Sequence, residues 1–181
     1  PQHKMYWNAT ECCLKIIKGG AFKSGSNSKD SNLTYVEIPD SVKEIGSTSN
    51  SYGAFEGCPK LKTVVINPTS MLIKLGSKAF KGCIELENIY IPEGVTSILS
   101  YTFEGCENLK KVSFEGATDI GSYAFTNCRR LEQIIAPKVT KIYSYAFVGC
   151  ESIRNESFLN FPELKQLGTY ALAGMVGLES Y

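Results

Sequence analysis

What this sequence most lacks is an excess of one charge: 19 Lys and Arg stand against 18 Asp and Glu, a net +1. A phosphate backbone is held by surplus cations, so nucleic acid is not an expected partner, and no acidic tail attracts a basic one. Histidine is as scarce, His3 being the only one. A cysteine–histidine nucleophile would have to recruit that residue, and a zinc site would need clustered ligands. The seven cysteines offer neither: apart from the adjacent Cys12 and Cys13, they are isolated from one another by more than twenty residues. No G-x-x-x-x-G-K-S/T or dinucleotide fingerprint occurs. No stretch approaches the roughly 18 uninterrupted apolar residues of a membrane span, and PQHKMYWNAT, residues 1–10, lacks the apolar core of a signal peptide. The chain begins at Pro1 rather than Met, so a leader removed and a leader never included stay equally open. These absences point away from an enzyme, a cofactor, a metal and a membrane span within this chain.

What the sequence has in quantity is repetition. Six hexamers recur: GAFEGC (53–58), KAFKGC (78–83), YTFEGC (101–106), YAFTNC (123–128), YAFVGC (145–150) and YALAGM (170–175). Their last positions, Cys58, Cys83, Cys106, Cys128, Cys150 and Met175, lie 25, 23, 22, 22 and 25 residues apart. A partial copy, GGAFKSG (19–25) around Phe22, precedes a strand-like LTYVEIP (33–39), which makes about seven units with irregular outer ones. A period of this length signals a stacked array rather than a single globule.

Each position in the phrase has a physical reading. Ser77, Ser100, Ser122, Ser144 and Thr169 stand just before five hexamers, where a hydroxyl predicts a capped, short helical turn. Gly57, Gly82, Gly105, Gly149, Gly174 and, in one copy, Asn127 sit near the end of that turn; Gly and Asn best tolerate left-handed backbone. So short a turn is unstable alone, and Phe55, Phe80, Phe103, Phe125 and Phe147, with Leu172 in the last copy, must pack against neighbouring units. Then comes Leu-x-x-Val/Ile-x-apolar: Leu61, Val64, Ile66; Leu86, Ile89, Ile91; Leu109, Val112, Phe114; Leu131, Ile134, Ala136; and, less regularly, Ile153. That alternation predicts a strand with one buried face. Pro39, Pro92 and Pro137 close three of these strands. A further apolar pair, such as Val95 and Ile98 or Val139 and Ile142, leads into the next turn. Like strands arriving once per coil in one direction make a parallel sheet, and the expected fold is a repeat solenoid.

The run of L-x-x-V-x-I-P strands joined by A-F-x-G-C turns resembles the BspA-like leucine-rich repeat family, over residues 19–181. The resemblance implies a right-handed coil with one parallel β-sheet and short helical or 3-10 turns on the opposite side. Residues 1–18 are expected to be an N-terminal cap or linker. The pattern departs from the commoner L-x-x-L-x-L-x-x-N repeat, because the asparagine place holds residues such as Gly94 or Val139 and the cysteine precedes the leucine by three. Members of the family are often surface proteins of bacteria and parasitic protists. The resemblance therefore implies a non-catalytic recognition module, extracellular or on a cell surface, that adheres to a host or extracellular-matrix protein. The alternative is a structural spacer that presents another domain and has no ligand of its own.

Five cysteines share one slot that Met175 fills in the last copy, which predicts a buried column of reduced thiols, since free cysteine behaves as a small hydrophobe. Their Cβ vectors should run parallel, poor geometry for a bridge. Cys12 and Cys13 lie outside this column and are read as part of a plain cap, with a bridge or a reactive thiol as the other possibility. Sequons occur at Asn8, Asn32 and Asn155, while Pro68 excludes Asn67. Two polar insertions, KSGSNSKDSN (23–32) and GSTSNSYG (46–53), read as loops between coils. The chain stops at Tyr181 within a would-be strand, from which a fragment of a longer protein, or an end covered by a second copy, is expected. The outward strand positions are Tyr35 and Glu37, Thr63 and Val65, Asn88 and Tyr90, Lys111 and Ser113, Gln133 and Ile135, Asn155 and Ser157. They predict a solvent-facing band of tyrosine and branched residues among polar ones, the composition of a protein-contact surface. Exposed residues of those types also simply suit strands.

Overall fold

The computed structural model describes residues 3–5, 14–22, 32–46, 52–154 and 161–175. Cys12, Cys13, Asn8, Asn155, Ser157 and most of both polar insertions lie outside the described residues. The alternating segments form strands at Leu33–Ile38, Thr63–Ile66, Asn88–Ile91, Lys111–Phe114 and Gln133–Ile135. Together with His3–Met5 they make one six-stranded sheet in which each strand pairs, in parallel, with the next of the series. A parallel neighbour can be reached only by a crossover, so the chain winds once around the core for every strand. Register is in phase: Val36 faces Val64, Ile38 faces Ile66, Ile89 faces Val112, and Ile91 faces Phe114.

The apolar pairs that follow each long strand are strands as well, of two residues each. Glu44–Ile45 lies between Ile16–Ile17 and Lys74–Leu75 in one parallel sheet. A second sheet orders Ser97–Ile98, Asp119–Ile120, Lys141–Ile142 and Gln166–Leu167. Among the described residues the solenoid thus has two short sheets in addition to its principal one. The inward residues of all three, with Leu61, Leu86, Leu109 and Leu131, form one continuous buried core.

The turns depart from the expected helical ones. Among the described residues no segment is helical. Lys78, Tyr101, Tyr123, Tyr145 and Tyr170, immediately after the supposed caps, have φ between 53° and 63°, which no residue opening a right-handed helix can have. The hexamers are instead chains of tight turns in which N–H groups alternate. Those of Ala79, Lys81 and Cys83 bond three residues back to Gly76, Lys78 and Phe80, while those of Lys78, Phe80 and Gly82 cross to Ser100, Thr102 and Glu104 of the next coil. A helical turn would keep every donor within its own coil; this one sends half of them along the stack. Gly57, Gly82, Gly105, Gly149, Gly174 and Asn127 are left-handed, as expected, with φ between 61° and 86°.

Identical turn positions bring identical side chains together. The rings of Phe22, Phe55, Phe80, Phe103, Phe125 and Phe147 form a stack with successive centroids 4.8, 5.3, 5.6, 5.2 and 5.1 Å apart. Beside it runs the thiol column of Cys58, Cys83, Cys106, Cys128 and Cys150, wholly buried. Each Sγ donates to the carbonyl of the phenylalanine one coil before: Cys83 to Phe55 at 3.3 Å, and Cys106, Cys128 and Cys150 to Phe80, Phe103 and Phe125 at 3.1 Å. The same carbonyl accepts the N–H of its own coil's cysteine, for example Cys83 N–H on Phe80 at 3.1 Å. Cysteine suits the slot because it fills apolar space and still meets the second lone pair of a buried carbonyl.

Candidate functional site

The principal sheet turns its second face outward. Register sets Tyr35, Thr63, Asn88, Lys111 and Gln133 in one row, and Glu37 beside Val65 and Tyr90, Ser113 and Ile135 in another. Glu37, Thr63, Val65, Asn88, Lys111 and Gln133 are exposed, and Tyr35, Tyr90 and Ile135 are half-buried. Tyr35 Oη donates to Glu37 Oε2 at 3.3 Å, tying the first strand's pair together. Ser113 departs from the expected solvent-facing band: it is only 8 % exposed. It lies in register between Tyr90 and Ile135, and those larger side chains close over it.

The result is a shallow groove of about 480 Å³ with Ser113 at its base and Val65, Asn88, Tyr90, Lys111 and Ile135 around it. The other four band residues that are described, Tyr35, Glu37, Thr63 and Gln133, lie outside its lining. Partial burial, and to a lesser degree the carboxylates of Glu115 and Glu93, push the Tyr90 phenol upward, so its hydroxyl remains a donor at physiological pH. Chemically the groove offers an apolar centre, one phenol and one ammonium. Among the described residues no three His, Cys, Asp or Glu side chains converge to hold a metal ion, and no helix is long and apolar enough to cross a membrane. Asn32, the described sequon, is exposed and accepts from Lys60 Nζ at 2.9 Å.

The sequence reading missed a second surface column. Tyr101, Tyr123, Tyr145 and Tyr170 stack with centroids 5.0, 5.0 and 5.4 Å apart, and Lys81 Nζ lies 5.4 Å from the Tyr101 ring. The signal was present, as tyrosine opening four of the six hexamers. It went unread because nothing local distinguishes a surface stack from an exposed turn residue.

Residues 15–154 match, as six copies, the family described as BspA type Leucine rich repeat region. The chain belongs to that family. BspA-type repeats form a protein-interaction module. The solved structures that share the solenoid include three bacterial proteins. A leucine-rich repeat protein from Bacteroides ovatus is 23 % identical with a TM-score of 0.61, covering 96 % of this chain and 52 % of that one. One from Eubacterium ventriosum is 22 % identical with a TM-score of 0.59, covering 83 % and 45 %. The leucine-rich repeat protein of T. pallidum is 23 % identical with a TM-score of 0.59, covering 88 % and 81 %. The chain thus spans about half the length of the first two. No curated protein matches it.

Proposed function

We propose that this BspA-type array is a non-catalytic recognition module of a cell-surface or extracellular protein, and that it adheres to a host or extracellular-matrix protein through the open face of its principal sheet. The observation that carries the reading is the groove over Ser113, where Tyr90, Ile135 and Val65 supply an apolar centre and Asn88 and Lys111 a polar edge. Apolar centre and polar rim is the anatomy of protein interfaces, and tyrosine is favoured at their energetic centres. Surface location and adhesion are supported by the family resemblance.

The test is binding to an immobilised panel of extracellular-matrix proteins, followed by Tyr90→Ala and Ile135→Ser. Each substitution is expected to weaken binding at least tenfold, about 1.4 kcal/mol or more. Binding to an identified partner that neither substitution alters would assign recognition to another face. No binding to any member of the panel would favour a spacer.

A further inference from the structure

The turn-flanking serines were expected to cap helices, and two of them instead border a hollow on the second short sheet. The position just after each two-residue strand is occupied by Lys18, Gly46, Gly76, Leu99, Gly121, Tyr143 and Gly168 in successive coils. Glycine is the rule because the coils approach closely: a Cβ at Gly121 would lie 2.7 Å from the Ser100 backbone nitrogen, and one at Gly168 would lie 2.4 Å from that of Ser144. Apart from Lys18 in the first coil, the departures from glycine are Leu99 and Tyr143, which stand one coil before and one coil after Gly121. They wall a notch two strand spacings wide, roughly 10 Å. The resulting hollow measures about 300 Å³, the lower end of the range for ligand pockets.

Its lining is polar on both flanks. Ser97 and Asp119 border one side, and Ser100 and Ser122 the other. Asp119 accepts from Thr118 Oγ1 at 2.7 Å through Oδ2. Among the described residues no protein group hydrogen-bonds the hydroxyls of Ser97, Ser100 or Ser122, though all three are half-buried. Half-buried hydroxyls on one hollow are open to water, which a ligand's own hydroxyl groups can replace.

From this arrangement we infer that the hollow is a binding site for a neutral polyol, a single hexopyranose unit of a glycan. A sugar presents hydroxyls around its rim and C–H groups on its faces. The carboxylate of Asp119 and the three serines match the former, and the Tyr143 ring and Leu99 match the latter. No cation lines the hollow, which disfavours phosphate, sulfate or any acidic ligand. Asp119 is the one acidic residue of the lining and its Oδ2 already accepts from Thr118 Oγ1, so no second carboxylate is at hand to hold a metal ion. The site is separate from the groove on the principal sheet and stands whether or not that groove binds protein.

The experiment titrates isotope-labelled full chain with methyl glycosides of glucose, galactose, mannose and N-acetylglucosamine, both anomers of each, followed by amide chemical shifts. At least one should give saturable shifts confined to residues 97–100, 119–122 and 143, with a Kd on the order of 1 mM for so small a ligand. Asp119→Asn should weaken that binding about tenfold or more, Tyr143→Ala should do likewise, and Tyr90→Ala should leave it unchanged. The spectrum of each variant also shows whether it is folded. Absence of saturable shifts with every glycoside, shifts centred elsewhere, or wild-type affinity in folded Asp119→Asn would each overturn the proposal. So would a response to tetramethylammonium or calcium in place of the glycosides. A glycoprotein before and after enzymatic deglycosylation, and a soluble polysaccharide, then distinguish a sugar carried by a protein from one in a polymer, and retention by either supports the site.

Discussion

Replacing Phe103 by alanine perturbs the centre of the stack. Phe103 is wholly buried and lies between two ring neighbours, Phe80 at 5.6 Å and Phe125 at 5.2 Å. A buried Phe→Ala change costs about 3–5 kcal/mol in transfer and cavity terms. Each lost ring pair is worth about 0.5–1.5 kcal/mol beyond area, which places this site toward the upper end. In an array whose coils touch only their neighbours, the change weakens both interfaces of the central coil at once. Against the about 5–15 kcal/mol of a typical domain, the loss is large. Phe103→Leu keeps most of the volume and forfeits the two ring pairs, so about 1–3 kcal/mol is expected; Leu172 occupies the same slot in the last copy. Urea unfolding followed by far-ultraviolet circular dichroism measures both, and the alanine variant should lower the midpoint by about 2 M for a slope of about 2 kcal/mol/M. A loss below about 1 kcal/mol for Phe103→Ala, at unchanged slope, would refute the reasoning that this ring joins two coils.

Two other outcomes follow from the turn side of the coil. Burial pushes the Cys83, Cys106 and Cys128 thiols above the ordinary value of 9.0. The unfolded chain then releases protons that the folded chain keeps, so stability is full below about pH 9 and falls as pH rises beyond it, by about 1 kcal/mol per thiol between pH 9 and 10. Chemical unfolding at the two pH values should show a loss of about 3 kcal/mol that shrinks when Cys106 is replaced by alanine; an unchanged loss would contradict the burial argument. Gly105→Ala should cost about 1–2 kcal/mol through backbone strain alone, because φ is 73° while the nearest atom to a new Cβ, Gly82 Cα, is an unstrained 3.8 Å away. Asn127→Gly at the equivalent turn position, also left-handed, should change stability less, and equal losses in the two variants would count against a conformational cause.

The architecture was legible because side-chain identity recurs with coil position. Phenylalanine, cysteine and glycine each announce a buried stack, an apolar slot and a left-handed turn, and Met175 in the cysteine slot and Asn127 in the glycine slot obey the same physics. The turn's conformation was not legible, since a serine before an apolar run is also the signature of a helix cap. Tyrosine gives no hint of a left-handed backbone, a conformation that here lets alternate N–H groups reach the next coil. Period-two alternation placed Ser113 outward, which is correct for its direction. Its burial depends on the bulk of Tyr90 and Ile135, which come beside it only once neighbouring coils are in register. The hollow around Gly121 is a property of Leu99 and Tyr143 on either side of it along the stack, residues 22 positions before and after it in the sequence. Asn155 and Ser157, expected in the outward band, lie outside the described residues.

The central claim is that successive coils lie in phase, each side chain directly over its counterpart. Nuclear Overhauser contacts from the Phe103 ring test it most directly: protons of both Phe80 and Phe125 should appear, 23 residues before and 22 after in the sequence. Contacts from Phe103 to only one of them, or only to residues nearby in sequence, would contradict it.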